Sequence, residues 1–362
     1  MTQLRTVQVL GGGSAGSSAH VRSLASGLVA RGVRVTVCAP AELDRVYDFI
    51  GAGARFVPVP RRNDPATVAA LRGASAGADV VHAHGLHASV RAALALSGGG
   101  RTAPSLVTTW HTRNHVEGAR GGLLRLLERR TARTADVVLA TSSELVDRAR
   151  RRGARDARLA PVTVPASRAP VCLHDGKARA ELGAVDRPLL MAVGALEPER
   201  GYDTLLDAAR RWRELDPQPL LVIAGEGRER AALQRRIETE RLAVRLIGRR
   251  DDVAELLAAA DVAVLPSRWE ARSLLAQEAL RLGVPLVATA VGGVPELVGD
   301  AAELVPRGDA PALAEAVRGL LEDTDRRMDL AAAGRVQAGT WPTEDETIAH
   351  VLSVYDELSG RR

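Results

Sequence analysis

Residues 262–285 read VAVLPSRWEARSLLAQEALRLGVP. Val262 to Leu265 is a short apolar run closed by Pro266 and Ser267, the pattern of a buried strand. From about Ser273 the apolar residues Leu274, Leu275, Ala279 and Leu282 recur at helical spacing. Glu270 therefore falls in the connecting loop and Glu278 on the helix. A helix start aims unpaired backbone N–H groups at one spot, which suits a phosphate, and a carboxylate on either side can accept hydrogen bonds from sugar hydroxyls. That combination fits a nucleotide sugar. An ordinary strand-to-helix turn with a solvated glutamate at each end fits this segment alone equally well.

Working outward, strands and helices alternate along nearly the whole chain, as in parallel sheets covered by helices on both faces. The first half offers TVQVL, VRVTVCA, RFVPVP, DVVHAH, SLVTTWH and DVVLATS as strands, with the clearest helix over residues 19–31. APVTVPASRAP, residues 160–170, is proline-rich and leaves this first series. LLMAV, LLVIAG, VRLIG, VAVLP and PLVAT then form a second, with helices expected near 201–215, 228–242, 251–260 and 273–282. The division predicted is an N-terminal domain over 1–168 and a linker over 169–187. A C-terminal domain follows over 188–340, and a last helix from 341 to 362 packs back toward the first domain. Both domains are α/β, Rossmann-like and doubly wound, facing each other across a cleft where ligands bind beyond the strand ends.

A chain of 362 residues is long for one core. Hydrophobic residues make up 46% and charged residues 26%, a globular balance, and no apolar run approaches membrane-spanning length. MTQLRTVQVL followed by glycines reads as a strand and turn rather than a signal peptide. Cys38 and Cys172 are too few and too scattered for a disulfide framework or a metal site, so a reducing, cytoplasmic setting is expected. The formal charge of +5 comes almost wholly from arginine, since Lys177 is the only lysine. Basic residues gather between 113 and 158, on a helical stretch whose apolar side is Leu123, Leu124, Leu126 and Leu127. That face is read first as a solvated helix covering a core, and second as one that touches a phosphorylated acceptor or anionic lipid at the inner face of the cell membrane. Aromatic residues are 2% of the chain and do not interleave with the basic ones, so nucleic acid is not an expected partner.

Gly11 to Gly16, GGGSAG, is a full G-x-G-x-x-G after a strand, and a flavin or nicotinamide oxidoreductase is one reading of it. The second strand, however, runs into Cys38, Ala39 and Pro40, and the first acid after it is Glu42. The ribose ligand of a dinucleotide site is missing there. Gly16 and its neighbours still form a backbone cradle for an anion, or a turn that needs glycine for geometry only. His82, His84 and His87 lie close in sequence, with the first two on one face of a strand, but no carboxylate accompanies them as a metal ligand.

These segments together resemble the retaining glycosyltransferases of family 4, glycosyltransferase group 1, in the GT-B superfamily. The resemblance runs nearly end to end. The family's paired glutamates in a PS-x-x-E…EA-x-x-x-G-x-P frame match Pro266–Pro285. GSSAHVRSLASGLVARGVRVTV, DVVHAHGLH, TTWHTRNH, ADVVLATSSEL, LVIAGEGRER and ATAVGGVPELV resemble family segments in the same order. The resemblance implies transfer of a sugar from a nucleoside-diphosphate sugar to a hydroxyl of a saccharide, lipid-linked or small-molecule acceptor. It implies retention by metal-independent front-face displacement, with no cofactor beyond the donor substrate. It also implies that the first domain is the acceptor side and the second the donor side. It places Glu270 at the donor sugar, Glu278 at the nucleotide ribose, the backbone N–H groups of Ser273, Leu274 and Leu275 at the diphosphate with Gly16, and His111 near the reacting sugar and acceptor.

One segment departs from the family pattern. In VGALEPERGYDTLLDA, Ala195 stands where the family commonly has an arginine, and Arg200 replaces a lysine before Gly201. Arg200 keeps one cation, as a planar fork rather than a point charge. Arg268, Arg272 and Arg249 are the candidates to make up for the other. A catalytically weak, nucleotide-sugar-binding relative is the reading that Ala195 keeps open.

Overall fold

The structure, a computed structural model, describes residues 3–12, 15–61, 64–98, 103–113, 118–162 and 176–360. Gly13, Ser14, Cys172 and residues 169–175 of the expected linker lie outside them. The chain divides into two compact units, Met1–Pro165 with Pro342–Arg362, and Ala166–Trp341.

The first unit is a seven-stranded sheet of β1 (Arg5–Leu10), β2 (Arg34–Ala39), β3 (Arg55–Pro58), β4 (Val80–His84), β5 (Ser105–Trp110), β6 (Val137–Ala140) and β7 (Ala157–Leu159). Its order is β3-β2-β1-β4-β5-β6-β7 and every pairing is parallel. Strands β4, β5 and β6 are buried along their whole length, as expected of parallel strands covered by helices on both faces, and several of the buried side chains are polar, among them His82, His84 and Thr109. The winding reverses direction between β1 and β4, and a doubly wound sheet opens a crevice beyond the strand ends at such a point.

The last helix, Glu344–Gly360, belongs to this unit although it is remote in sequence. Its Ile348, Val351, Val354, Tyr355 and Leu358 enter one core cluster with Val21, Leu24 and Leu28 of the helix Ala15–Ala30. Arg158 ties it to β7 through Glu357, at 2.7 Å. Within the sheet it also lies against β4.

The second unit is a six-stranded parallel sheet of β8 (Leu189–Val193), β9 (Leu220–Ala224), β10 (Val244–Gly248), β11 (Val262–Leu265), β12 (Leu286–Thr289) and β13 (Glu303–Val305), in the order β10-β9-β8-β11-β12-β13. Alternation along β8 divides two cores: Leu190 and Ala192 join one cluster, Leu189 and Met191 the other. Residues 177–187, expected as linker, are instead part of this unit. Lys177–Leu182 forms a helix, and Leu182 and Ala184 are buried against the second cluster. Two three-residue strands, β7 and β13, escaped the sequence reading because so short a run carries no periodicity.

No helix among the described residues is long and apolar enough to cross a membrane. In the basic helix Gly118–Thr134, the four leucines do not share one buried side: Leu123 and Leu126 are exposed, at 57% and 62%, while Leu124 and Leu127 are half-buried.

Candidate functional site

In the second unit, β11 ends at Leu265 and the helix Leu274–Leu282 starts after Ser273, whose hydroxyl caps it by accepting from Ala276 N–H at 3.3 Å. First-turn N–H groups of a helix have no acceptor within it, so those of Leu274 and Leu275 point out of its start. Gly283, left-handed at φ 70°, ends the helix.

Glu270 lies in the loop between, 9% exposed. Ser267 Oγ donates to its Oε1 at 3.1 Å, and the Arg200 guanidinium pairs with the same oxygen. Its main-chain carbonyl accepts from Gly293 N–H at 2.9 Å, which brings the AVGGVPELV segment against the loop. Arg200 comes from a single turn, Pro198–Arg200, fixed to the same loop by Arg268 N–H donating to Glu199 O at 2.8 Å. Gly201 lets that turn approach. Its φ is +69°, and a Cβ there would collide with the Pro266 carbonyl.

Glu278 sits on the helix, half-buried, and burial raises its carboxyl above the usual range, with Arg281 acting in the opposite sense. The structure therefore gathers Glu270, Arg200, Ser273, Leu274, Leu275 and Glu278 around one strand-to-helix turn. Two of the three arginines considered as substitutes for the missing cation are committed elsewhere. Arg268 pairs with Asp203 at 2.6 Å, and Arg272 packs its guanidinium 5.6 Å from the centre of the Trp341 ring. Ala195 and Arg249 are exposed.

Gly16 and His111 belong to the first unit. Gly16 is in the first turn of Ala15–Ala30, and His111 follows β5. His111 lines a cavity of about 170 Å3, together with Gly11, Gly12, Ser17, His84, Trp110 and Glu128 among others. His20, His84 and His111 stand with ring centres 5.7–5.8 Å apart. Burial lowers all of them: His20 to about 4, His111 to about 3, and His84 well below its ordinary value. These imidazoles are neutral and serve as donors and acceptors rather than cations.

His82 and His84 do share one face of β4, ring centres 4.2 Å apart. Both nitrogens of His82 are taken, by Tyr355 OH and by Thr109 Oγ1, each at 2.6 Å. Glu128, on the cavity wall, is buried and receives two bonds of 2.9 Å from Arg148 and one of 3.0 Å from Arg152. Sequence reading missed Ser267, Gln8, Tyr355 and Glu128. Two of these carried a local signal: Gln8 as a polar residue between the apolar Val7 and Val9 of a strand, and Ser267 as an unweighed member of the PS-x-x-E frame.

Two parallel-sheet units of this kind make the fold GT-B. Anabaena HepE, solved in complex with UDP and glucose, superposes with a TM-score of 0.82 at 20% identity, over 97% of this chain and 100% of that one. The model of the glycosyl transferase 4-like domain matches residues 15–165, and that of glycosyl transferases group 1 matches residues 175–337. The chain belongs to this family of glycosyltransferases, family 4 of the GT-B type. A GDP-mannose-dependent monoacylated alpha-(1-6)-phosphatidylinositol monomannoside mannosyltransferase of Corynebacterium glutamicum is 32% identical over 48% of this chain and 49% of its own. A D-inositol 3-phosphate glycosyltransferase of Thermomonospora curvata is 36% identical over 49% of this chain and 45% of its own. The match thus spans about half the length of these curated relatives. Neither fold nor comparisons support the oxidoreductase reading of the glycine loop.

Proposed function

We propose that this protein transfers a glycosyl unit from a nucleoside-diphosphate sugar to an acceptor hydroxyl, with retention. The observation that carries the reading is the placement of Glu270. It is a buried carboxylate between Ser267 and Arg200, beside a capped helix start with outward N–H groups. When the anomeric bond breaks, negative charge grows on the leaving diphosphate, and fixed donors there stabilise the transition state more than the ground state. The first-turn N–H groups and Arg200 are the donors of the second unit, and Gly16 is assigned to the same phosphates. Donor binding takes Arg200 from Glu270 and leaves the carboxylate to the sugar hydroxyls. The leaving phosphate accepts the proton of the incoming hydroxyl, so that neither a protein nucleophile, a metal nor a cofactor is required.

Glu278 is assigned to the ribose and His111 to the reacting sugar and acceptor. The acceptor is a saccharide, a lipid-linked saccharide or a small molecule; the names of the relatives, which include a mannosyltransferase acting on a phosphatidylinositol mannoside, support this range. Leu123 and Leu126, exposed on the helix that carries Arg125, Arg129, Arg130 and Arg133, support a peripheral contact with anionic lipid on the cytoplasmic side.

The test is a thermal-shift screen of the full chain against nucleoside diphosphates and sugar nucleotides, followed by assay of sugar release and transfer with the best donor. A selective rise in melting temperature with turnover is expected. Binding of a nucleoside diphosphate without transfer from any donor would favour the weak-binding relative.

A further inference from the structure

The face of the first sheet that carries His82 and His84 holds an unbroken line of hydrogen bonds. Thr109 Oγ1 meets His82 Nε2 at 2.6 Å, and His82 Nδ1 meets the Tyr355 hydroxyl at 2.6 Å. Tyr355 OH accepts from Gln8 Nε2 at 3.0 Å, and Gln8 Oε1 meets His84 Nε2 at 3.0 Å. His84 Nδ1 then meets His111 Nε2 at 3.4 Å. Gln8, His82, His84 and Tyr355 are each buried, and His111 opens on the cavity.

Burial keeps the three imidazoles neutral, so each holds one proton and each ring nitrogen either donates or accepts. The direction of the whole line is then set at the Gln8 amide. Its NH2 group faces Tyr355 OH, with Thr6 Oγ1 as a second contact at 3.5 Å, and its carbonyl oxygen faces His84. A carbonyl only accepts. His84 must therefore donate from Nε2, which leaves its Nδ1 as an acceptor, and His111 must donate to it from Nε2. At the other end Tyr355 OH gives its proton to His82 Nδ1, and His82 donates from Nε2 to Thr109. Turning the Gln8 amide over reverses every bond in the line.

We propose that Gln8, His84 and Tyr355 are positioning residues that fix the tautomer of His111, placing its proton on Nε2 and leaving the Nδ1 lone pair for a ligand in the cavity. His111 Nδ1 has no partner among the described residues. A lone pair there takes a group that can donate, a hydroxyl or an ammonium, in preference to an ether oxygen or a fluorine. Only this last step rests on the reading of His111 as facing substrate. The tautomer belongs to the free protein, so the two readings fail separately.

The experiment is long-range 1H–15N correlation NMR of the full chain labelled with 15N-histidine, without ligand, near neutral pH. His111 and His84 are expected as Nε2–H tautomers. Gln8→Leu removes the carbonyl and is expected to shift His111 to a mixture with the Nδ1–H form, whereas Gln8→Glu keeps an acceptor toward His84 and should hold the wild-type pattern. Tyr355→Phe frees the amide to turn and is expected to give the same mixture, which covers the case in which Gln8→Leu does not fold. An Nδ1–H His111 in the wild-type protein overturns the proposal. So does an unchanged His111 tautomer in whichever of Gln8→Leu and Tyr355→Phe folds.

Discussion

Glu270 and Arg200 meet across 70 residues of sequence, each neutralising the other's charge. Replacing Glu270 by Gln preserves size and the Ser267 contact but removes the charge. It should lower transfer by about 100-fold or more, the usual scale for a polar group aimed at the transition state, while nucleotide affinity stays within a few-fold. Initial-rate and binding measurements on the same preparation check this, and unaltered turnover would remove Glu270 from the reaction. Arg200→Ala removes the remaining cation of its loop. A loss of roughly 10- to 100-fold in nucleoside-diphosphate affinity is expected by titration calorimetry, the scale of a charge-assisted hydrogen bond. Affinity equal to wild type would show that the helix start alone holds the phosphates.

At the scale of the element, the helix Leu274–Leu282 depends on its cap. Ser273→Ala removes the side chain that accepts from Ala276 and should cost about 1 kcal/mol of stability in the second unit by urea unfolding. The helix pair Ala15–Ala30 and Glu344–Gly360 depends on a different feature. Gly27 has no side chain, and a Cβ there would run into Ile348. Gly27→Val should therefore force the last helix away from the first and lower the stability of the first unit by about 1–3 kcal/mol, the range for overpacking a close contact. A melting profile indistinguishable from wild type would mean that the contact is not tight.

These elements show where sequence was sufficient. VAVLP, LLMAV and LLVIAG were legible as strands because parallel strands are apolar on both faces. The helix after Ser273 was legible because its apolar residues kept helical spacing up to Gly283. Arg200 beside Glu270 was not legible, since no local pattern states which loop a turn will land on. Nor was the burial of Arg272 against Trp341, which depends on a helix end 69 residues further along.

For the whole molecule, the buried histidines make stability depend on pH with a definite sign. His20 is held at about 4 in the folded first unit against about 6.5 unfolded, and His82 and His84 are held well below 6.5. The folded pKa values are the lower ones, so the unfolded chain binds more protons as pH falls through 6.5. Stability is complete above that value and is lost toward pH 4, at about 1.4 kcal/mol per pH unit for each such histidine. Unfolding of the first unit between pH 7 and 5 should show this decline, and a flat profile would mean that these imidazoles are solvated.

By itself the sequence determined two doubly wound sheets and the family they serve, because strand hydrophobicity, helix period and the E-x7-E frame are all local or near-local signals. Only the tertiary structure decided which side chains share a space. It brought Tyr355 from the last helix to His82 and Gln8, set Arg200 on Glu270, and turned Leu123 and Leu126 outward. Such meetings are fixed by packing between elements far apart in the chain, where the free energy depends on the shapes of both partners at once and no window of sequence contains them.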